Sequence, residues 1–189
     1  MNRVIIPLLC LLLTGCAAGG AKSPEAVKAA QGALLAAVEA GDVARAAKIL
    51  HSNKGIADTP DGHGGTLLHT ACFKGDAPMV RLLLANGADA NAPKTDGWTP
   101  LLFAARNGNA EIAQALLENG AKVDMPKGDG GTPLHTAAYE GKADVAALLI
   151  THGADVNARK ADGMTALRLA ALGKHEAVIA LLKRSGAKE

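Results

Sequence analysis

The sequence predicts an all-α solenoid of stacked helix-turn-helix pairs joined by β-turn loops. Two observations carry that expectation. The first is a repeat without gaps: Thr66, Thr99, Thr132 and Thr165 stand 33 residues apart and open stretches of one kind. These are Thr66-Leu67-Leu68-His69-Thr70-Ala71-Cys72, Thr99-Pro100-Leu101-Leu102-Phe103-Ala104-Ala105, Thr132-Pro133-Leu134-His135-Thr136-Ala137-Ala138 and Thr165-Ala166-Leu167-Arg168-Leu169-Ala170-Ala171. A period of this length marks one supersecondary unit that buries its apolar face only against its neighbours. The second is an apolar stripe of helical period after each stretch. Met79, Val80, Leu82 and Leu83 make one, Ile112, Ala115, Leu116 and Leu117 the next, and Val145, Leu148, Leu149 and Ile150 the third.

Each unit reads in the same order. A turn carrying Asp96-Gly97, Asp129-Gly130 or Asp162-Gly163 leads in. The Thr caps the first helix, and Pro100 or Pro133 fits its first turn. The Ala-Ala pair admits a close neighbour. Gly75, Gly108 and Gly141 then end that helix in a conformation that only Gly adopts cheaply.

The first unit is degenerate. Ser23, Pro24 and Glu25 form a helix start, and Leu34, Leu35 and Val38 follow at helical spacing, with a kink or weak point expected at Gly32. Gly41-Asp42 breaks the helix. Residues 43–50 form a second one, with Ile49-Leu50 aligned to Leu82-Leu83. The loop over residues 52–65 is the least regular. The last unit departs as a cap should, with Gly173 one residue early and Lys183 and Arg184 at places that are apolar or neutral upstream. The units are residues 31–62, 63–95, 96–128, 129–161 and 162–189, within one domain of residues 24–189.

Thr-Pro-Leu-His, Ala-Ala, Gly, Leu-Leu and Gly-Ala-Asp in this order resemble the ankyrin repeat over roughly residues 31–189, most fully in residues 129–161. Leu67 departs from the pattern's Pro, and Leu102 and Arg168 from its His. The resemblance implies that His69 and His135 bridge backbone groups between adjacent repeats. It also implies a concave face, built from turn tips and first helices, that binds a protein. Two rows of residues in 33-residue register then become candidates. One is Gly65, Trp98, Gly131, Met164. The other is Phe73, Arg106, Tyr139, Leu172, with Lys74, Asn107, Glu140 and Gly173 beside it. Three of the four aromatic residues fall in these rows, and aromatic and Arg side chains dominate interface energetics. Gly65 and Gly131 on either side of Trp98 predict an uncovered ring, whereas Phe103 is expected to pack in a seam.

Residues 1–15 read as an export signal: Arg3, then an apolar run too short to span a bilayer comfortably. Leu13-Thr14-Gly15-Cys16 resembles the bacterial lipobox, which implies cleavage before Cys16 and its acylation. Residues 16–23 become a tether. Ala17 in place of Asp implies an outer-membrane location facing the periplasm. Cys72 would be the only thiol left unmodified and stands at an Ala position, so a small buried residue is expected.

The formal net charge is +2, with no basic stripe interleaved with aromatics, which gives nucleic-acid binding no footing. No Cys/His spacing suits a metal, no Gly-rich loop a phosphate, and no nucleophile elbow is present. His152 suits a helix C-terminus; His51, His63 and His175 read as loop or surface residues. The chain is therefore expected not to be an enzyme, and to use no cofactor, metal or small-molecule substrate. Its expected role is an envelope-anchored module that binds a protein. The resemblance also leaves open an immunity protein against a toxin delivered to the periplasm, or a support protein for a stress enzyme such as catalase.

Overall fold

The structure, a computed structural model, describes residues 23–188. The predicted signal over residues 1–15, the acylation site Cys16 and all of the tether but Ser23 lie outside the described residues. Among the described residues there are ten helices and no strand. The pairs are α1 (Pro24–Ala40) with α2 (Val43–Ser52), α3 (Leu67–Lys74) with α4 (Ala77–Ala85), and α5 (Pro100–Asn107) with α6 (Ala110–Glu118). Then come α7 (Pro133–Tyr139) with α8 (Ala143–Thr151), and α9 (Ala166–Leu172) with α10 (Glu176–Arg184). First helices pack on first helices and second on second along the whole stack, so the core is one continuous band between two rows.

Local chemistry sets each helix. The hydroxyls of Thr99, Thr132 and Thr165 accept from the N–H groups of Leu102, His135 and Arg168. Asp42, Asp76 and Asn109 cap the second helices at Arg45, Met79 and Ile112 in the same way. Ala104, Ala105, Ala137 and Ala138 are fully buried, which lets successive first helices lie close. Cys72 is buried with them, and that burial pushes its thiol well above the usual range.

Four expectations change. Helix α1 runs unbroken through Gly32, which is exposed; Leu34, Ala37 and Val38 bury its inner face and outweigh a Gly penalty of about 1 kcal/mol. The first repeat is offset by one residue. Asp42 and Asp76 hold equivalent capping places, so the buried Ala46 and Leu50 match Val80 and Leu84 and not the residues before them. At the end of α9, Gly173 stays right-handed and Lys174 takes the left-handed turn with φ 55°. That conformation costs an L-residue about 1–2 kcal/mol. Gly173 serves another purpose: a Cβ there would run into the imidazole of His175, which bonds the Tyr139 carbonyl at 2.9 Å. His175 is thus a bridge between repeats and not a plain surface residue.

His69 and His135 bridge repeats as expected. The Thr66 N–H donates to His69 Nδ1 at 3.0 Å, which leaves the ring proton on Nε2 to donate to the Trp98 carbonyl at 3.1 Å. His135 does the same between Thr132 and Met164. Burial holds both rings below the ordinary value of 6.5, against the opposing pull of those carbonyls. The unfolded chain then binds more protons than the folded one once pH falls below that value, so stability is full above it and declines on acidification. In urea the midpoint should fall between about pH 7 and about pH 5. A His69→Gln, His135→Gln double variant should start less stable yet lose less over the same interval; an equal loss would contradict the assignment.

A second ladder runs along the loops after the second helices. Asn91 accepts from the Lys122 N–H and donates to the Gly120 carbonyl, both within 2.8 Å. Asn157 repeats this with Lys188 and Gly186. Asp124 holds the intervening place: one oxygen accepts from the Asp155 N–H at 3.0 Å, and Oδ1 is buried without a partner.

Candidate functional site

The turn tips are closed by hydrogen bonds from the Gly97, Gly130 and Gly163 N–H groups to the Lys94, Lys127 and Lys160 carbonyls. With the first helices they enclose a groove of two adjoining hollows that share Trp98 and Arg106. The smaller, of about 290 Å³, lies between Trp98, Arg106, Tyr139 and Leu169. The larger, of about 690 Å³, lies between Phe73, Trp98, Phe103 and Arg106.

Phe103 is the hub. Its ring lies 5.1 Å from that of Trp98, and meets Phe73 and His69 edge-on at 6.2 and 6.0 Å. Such pairs are worth about 0.5–1.5 kcal/mol each beyond area burial. The Arg106 guanidinium and the Lys127 ammonium each lie 5.7 Å from the Trp98 ring centroid. The Trp98 ring is therefore not left uncovered. Its glycine neighbours are small, as the sequence shows, but Phe103 in its own repeat and Lys127 from the next turn reach it instead. Phe73 and Tyr139 are the open rings, at 61% and 60% exposure.

The remaining candidates divide. Asn107 donates its amide to the Phe73 carbonyl at 3.0 Å, and the Lys74 ammonium to the Glu39 carbonyl, so both tie one repeat to the preceding one. Glu140, in register with Asn107, is exposed, lines the smaller hollow and forms no ion pair among the described residues. Leu172 is 64% exposed, and Met164 mainly supplies the carbonyl that His135 bonds; neither lines the two hollows.

Sequence reasoning missed Phe103 as a groove residue, and it missed the turn lysines. Lys94, Lys127 and Lys160 recur at the period, each two places before an Asp, and that spacing was the available signal. In the structure Lys127 and Lys160 build a charge ladder, Lys127 to Asp129 at 2.8 Å, Asp129 to Lys160 at 3.2 Å, and Lys160 to Asp162 at 3.4 Å, and Lys94 takes no part in it. The Lys127 ammonium above all, with the Gly131 N–H and Lys160, holds the Asp129 carboxyl far below the usual carboxylate range, so it stays charged through the histidine window. Asp129 in turn raises Lys160.

Among the described residues, no three His, Cys, Asp or Glu side chains converge as a metal site. Of the three histidines that line the groove, His69 and His135 have both ring nitrogens engaged, Nδ1 by a Thr N–H of the same repeat and Nε2 by a carbonyl of the next, and the third is His63. The groove offers rings, a guanidinium and turn lysines held in place by packing, which is equipment for recognition.

Fold and groove together define a repeat scaffold whose working part is a surface. The family model described as Ankyrin repeats (3 copies) matches residues 34–127 and 121–189, and the chain belongs to that family. It is by that membership a protein–protein interaction module, in a family typically made of non-enzymatic scaffolds. No curated protein matches the chain.

Proposed function

We propose that this protein is an envelope lipoprotein that holds a protein partner in the groove between its turn tips and first helices. Acylation at Cys16 anchors it, residues 16–23 act as the tether, and the groove faces the periplasm from the outer membrane. The observation that carries the reading is the placement of the aromatic residues. All four stand in or beside one groove, in a protein whose buried hydrophobic core is Ala, Leu, Ile and Val with Cys72 and Met79. Exposed rings in one row are surface held for a partner.

The anchoring half is tested by Cys16→Ser, which should abolish acyl labelling and leave an uncleaved precursor. A variant that still matures and resists a high-salt wash from membranes would sink it. The groove half is tested by Tyr139→Ala, with partner capture from envelope extract as the measurement. Truncating an aromatic anchor costs about 2 kcal/mol or more of binding, roughly thirtyfold in affinity. Folding should hardly change, because a ring that is 60% exposed leaves no cavity. Trp98→Ala should weaken capture as well, but it also strips Phe103 of a neighbour, so some stability is lost with it. Undiminished capture by folded Tyr139→Ala would contradict the site.

A further inference from the structure

We infer that the smaller hollow selects an acidic segment: one carboxylate seated on Arg106, next to an apolar side chain laid between Trp98 and Tyr139. The inference rests on the groove being the binding face.

Charge separates the two hollows. The larger is balanced, with Lys74, Lys94 and Arg106 against Glu39, Asp61 and Asp96. The smaller is not, with Arg106, Lys127 and Lys160 against Glu140 alone. Asp129 and Asp162, which pair with those lysines, are not part of its lining. Those two aspartates offset the lysines, which leaves Arg106 as the lining cation without a carboxylate, and a low-dielectric wall of rings beside it favours an anion at that point.

Arg106 is the residue that would hold it. Among the described residues it pairs with no carboxylate, whereas Lys127 and Lys160 both do. Its contact is the Trp98 ring, which steadies the guanidinium while its N–H fork stays open to solvent. A planar fork held in this way is suited to two parallel bonds to one carboxylate, which the point charge of a lysine does not reproduce. Beside it, Trp98, Tyr139 and Leu169 supply the apolar surface.

Size and Glu140 narrow the occupant further. About 290 Å³ takes one or two side chains, so the hollow receives part of an extended segment and not a folded domain. Glu140 forms no ion pair among the described residues and repels a second carboxylate, so a single acid beside an apolar residue fits better than an acidic run.

The test is selection of a random phage-displayed peptide library on the full chain, followed by titration of the winning synthetic peptides. Trp98 is the only tryptophan, so its emission reports occupancy directly. Enriched peptides should carry Asp or Glu adjacent to Leu, Ile or an aromatic residue, and high salt should weaken them. Arg106→Ala should lose about tenfold or more in affinity, Arg106→Lys should recover little of it, and Glu140→Gln should tighten binding severalfold. Neutral or basic winners, or acidic winners that ignore Arg106→Ala, overturn the acid preference. If those winners still fail on Tyr139→Ala, the groove stands as the binding face. Winners indifferent to both variants bind elsewhere and sink both readings. If no sequence is enriched the acid-selective hollow is overturned, and capture from envelope extract then decides the groove by itself.

Discussion

Leu116→Ala should cost the protein roughly 2–5 kcal/mol, the largest loss expected from a single truncation. Leu116 is fully buried on α6, whose neighbours in the second row are α4 and α8. Removing its branched end deletes packing in the buried band and leaves a cavity that close-packed helices fill only in part by collapsing. Position matters as much as burial. In a solenoid each repeat is stabilised only by its neighbours, so a defect in the middle weakens two interfaces at once. Lys183, exposed on α10 in the terminal repeat, should change stability by no more than about 0.5 kcal/mol when cut to Ala. Urea unfolding followed by circular dichroism compares the two. Equal midpoints would mean that residue 116 does not sit in the packed seam described above.

The largest gain should come from Asp124→Asn. Asn91 and Asn157 each use both ends of the amide, the oxygen for a backbone N–H and the nitrogen for a carbonyl of the next repeat. Asp124 makes only the first of these bonds, and its Oδ1 is buried where the other two place a donor. By the register of the ladder the Gly153 carbonyl is the acceptor left waiting. A buried polar atom without a partner costs about 1–3 kcal/mol, and asparagine converts that atom into the donor the site lacks. The midpoint in urea should rise accordingly. The mirror change, Asn157→Asp, should lower stability by a similar amount. A neutral or destabilising Asp124→Asn would show that the orphan oxygen is satisfied in solution.

Much of the fold was legible because a solenoid writes its structure along the chain. Thr99 and Pro100, the Ala104-Ala105 pair and Gly108 each act within their own repeat, on backbone a few residues away, and local effects of this kind are visible in one copy and repeated in the next. The histidine bridges were implied by the family resemblance, and they form because the imidazole meets backbone, which is present whatever the neighbour's side chain is.

The groove was less legible. Its residues act across repeats, and there the partner is a particular side chain. Gly65 and Gly131 suggested an open Trp98, yet Phe103 and Lys127 cover much of it, from places that carry Thr or other lysines in the adjacent copies. Gly173 looked like a displaced helix stop, and the structure shows it making room for His175, with Lys174 taking the strained turn. The first repeat slipped by one residue for a related reason. Its cap at Asp42 and its buried Ala46 and Leu50 lock it onto α4 in an offset register that strict periodicity does not contain. What the sequence by itself determined is therefore the unit: its caps, its turns, its apolar stripes and the order of stacking. The tertiary structure decided which unlike side chains meet across each seam, and so where rings stay exposed, where Arg106 lacks a carboxylate and where Asp124 is stranded. Periodicity specifies what is common to the repeats, whereas a binding groove is made of the places where they differ.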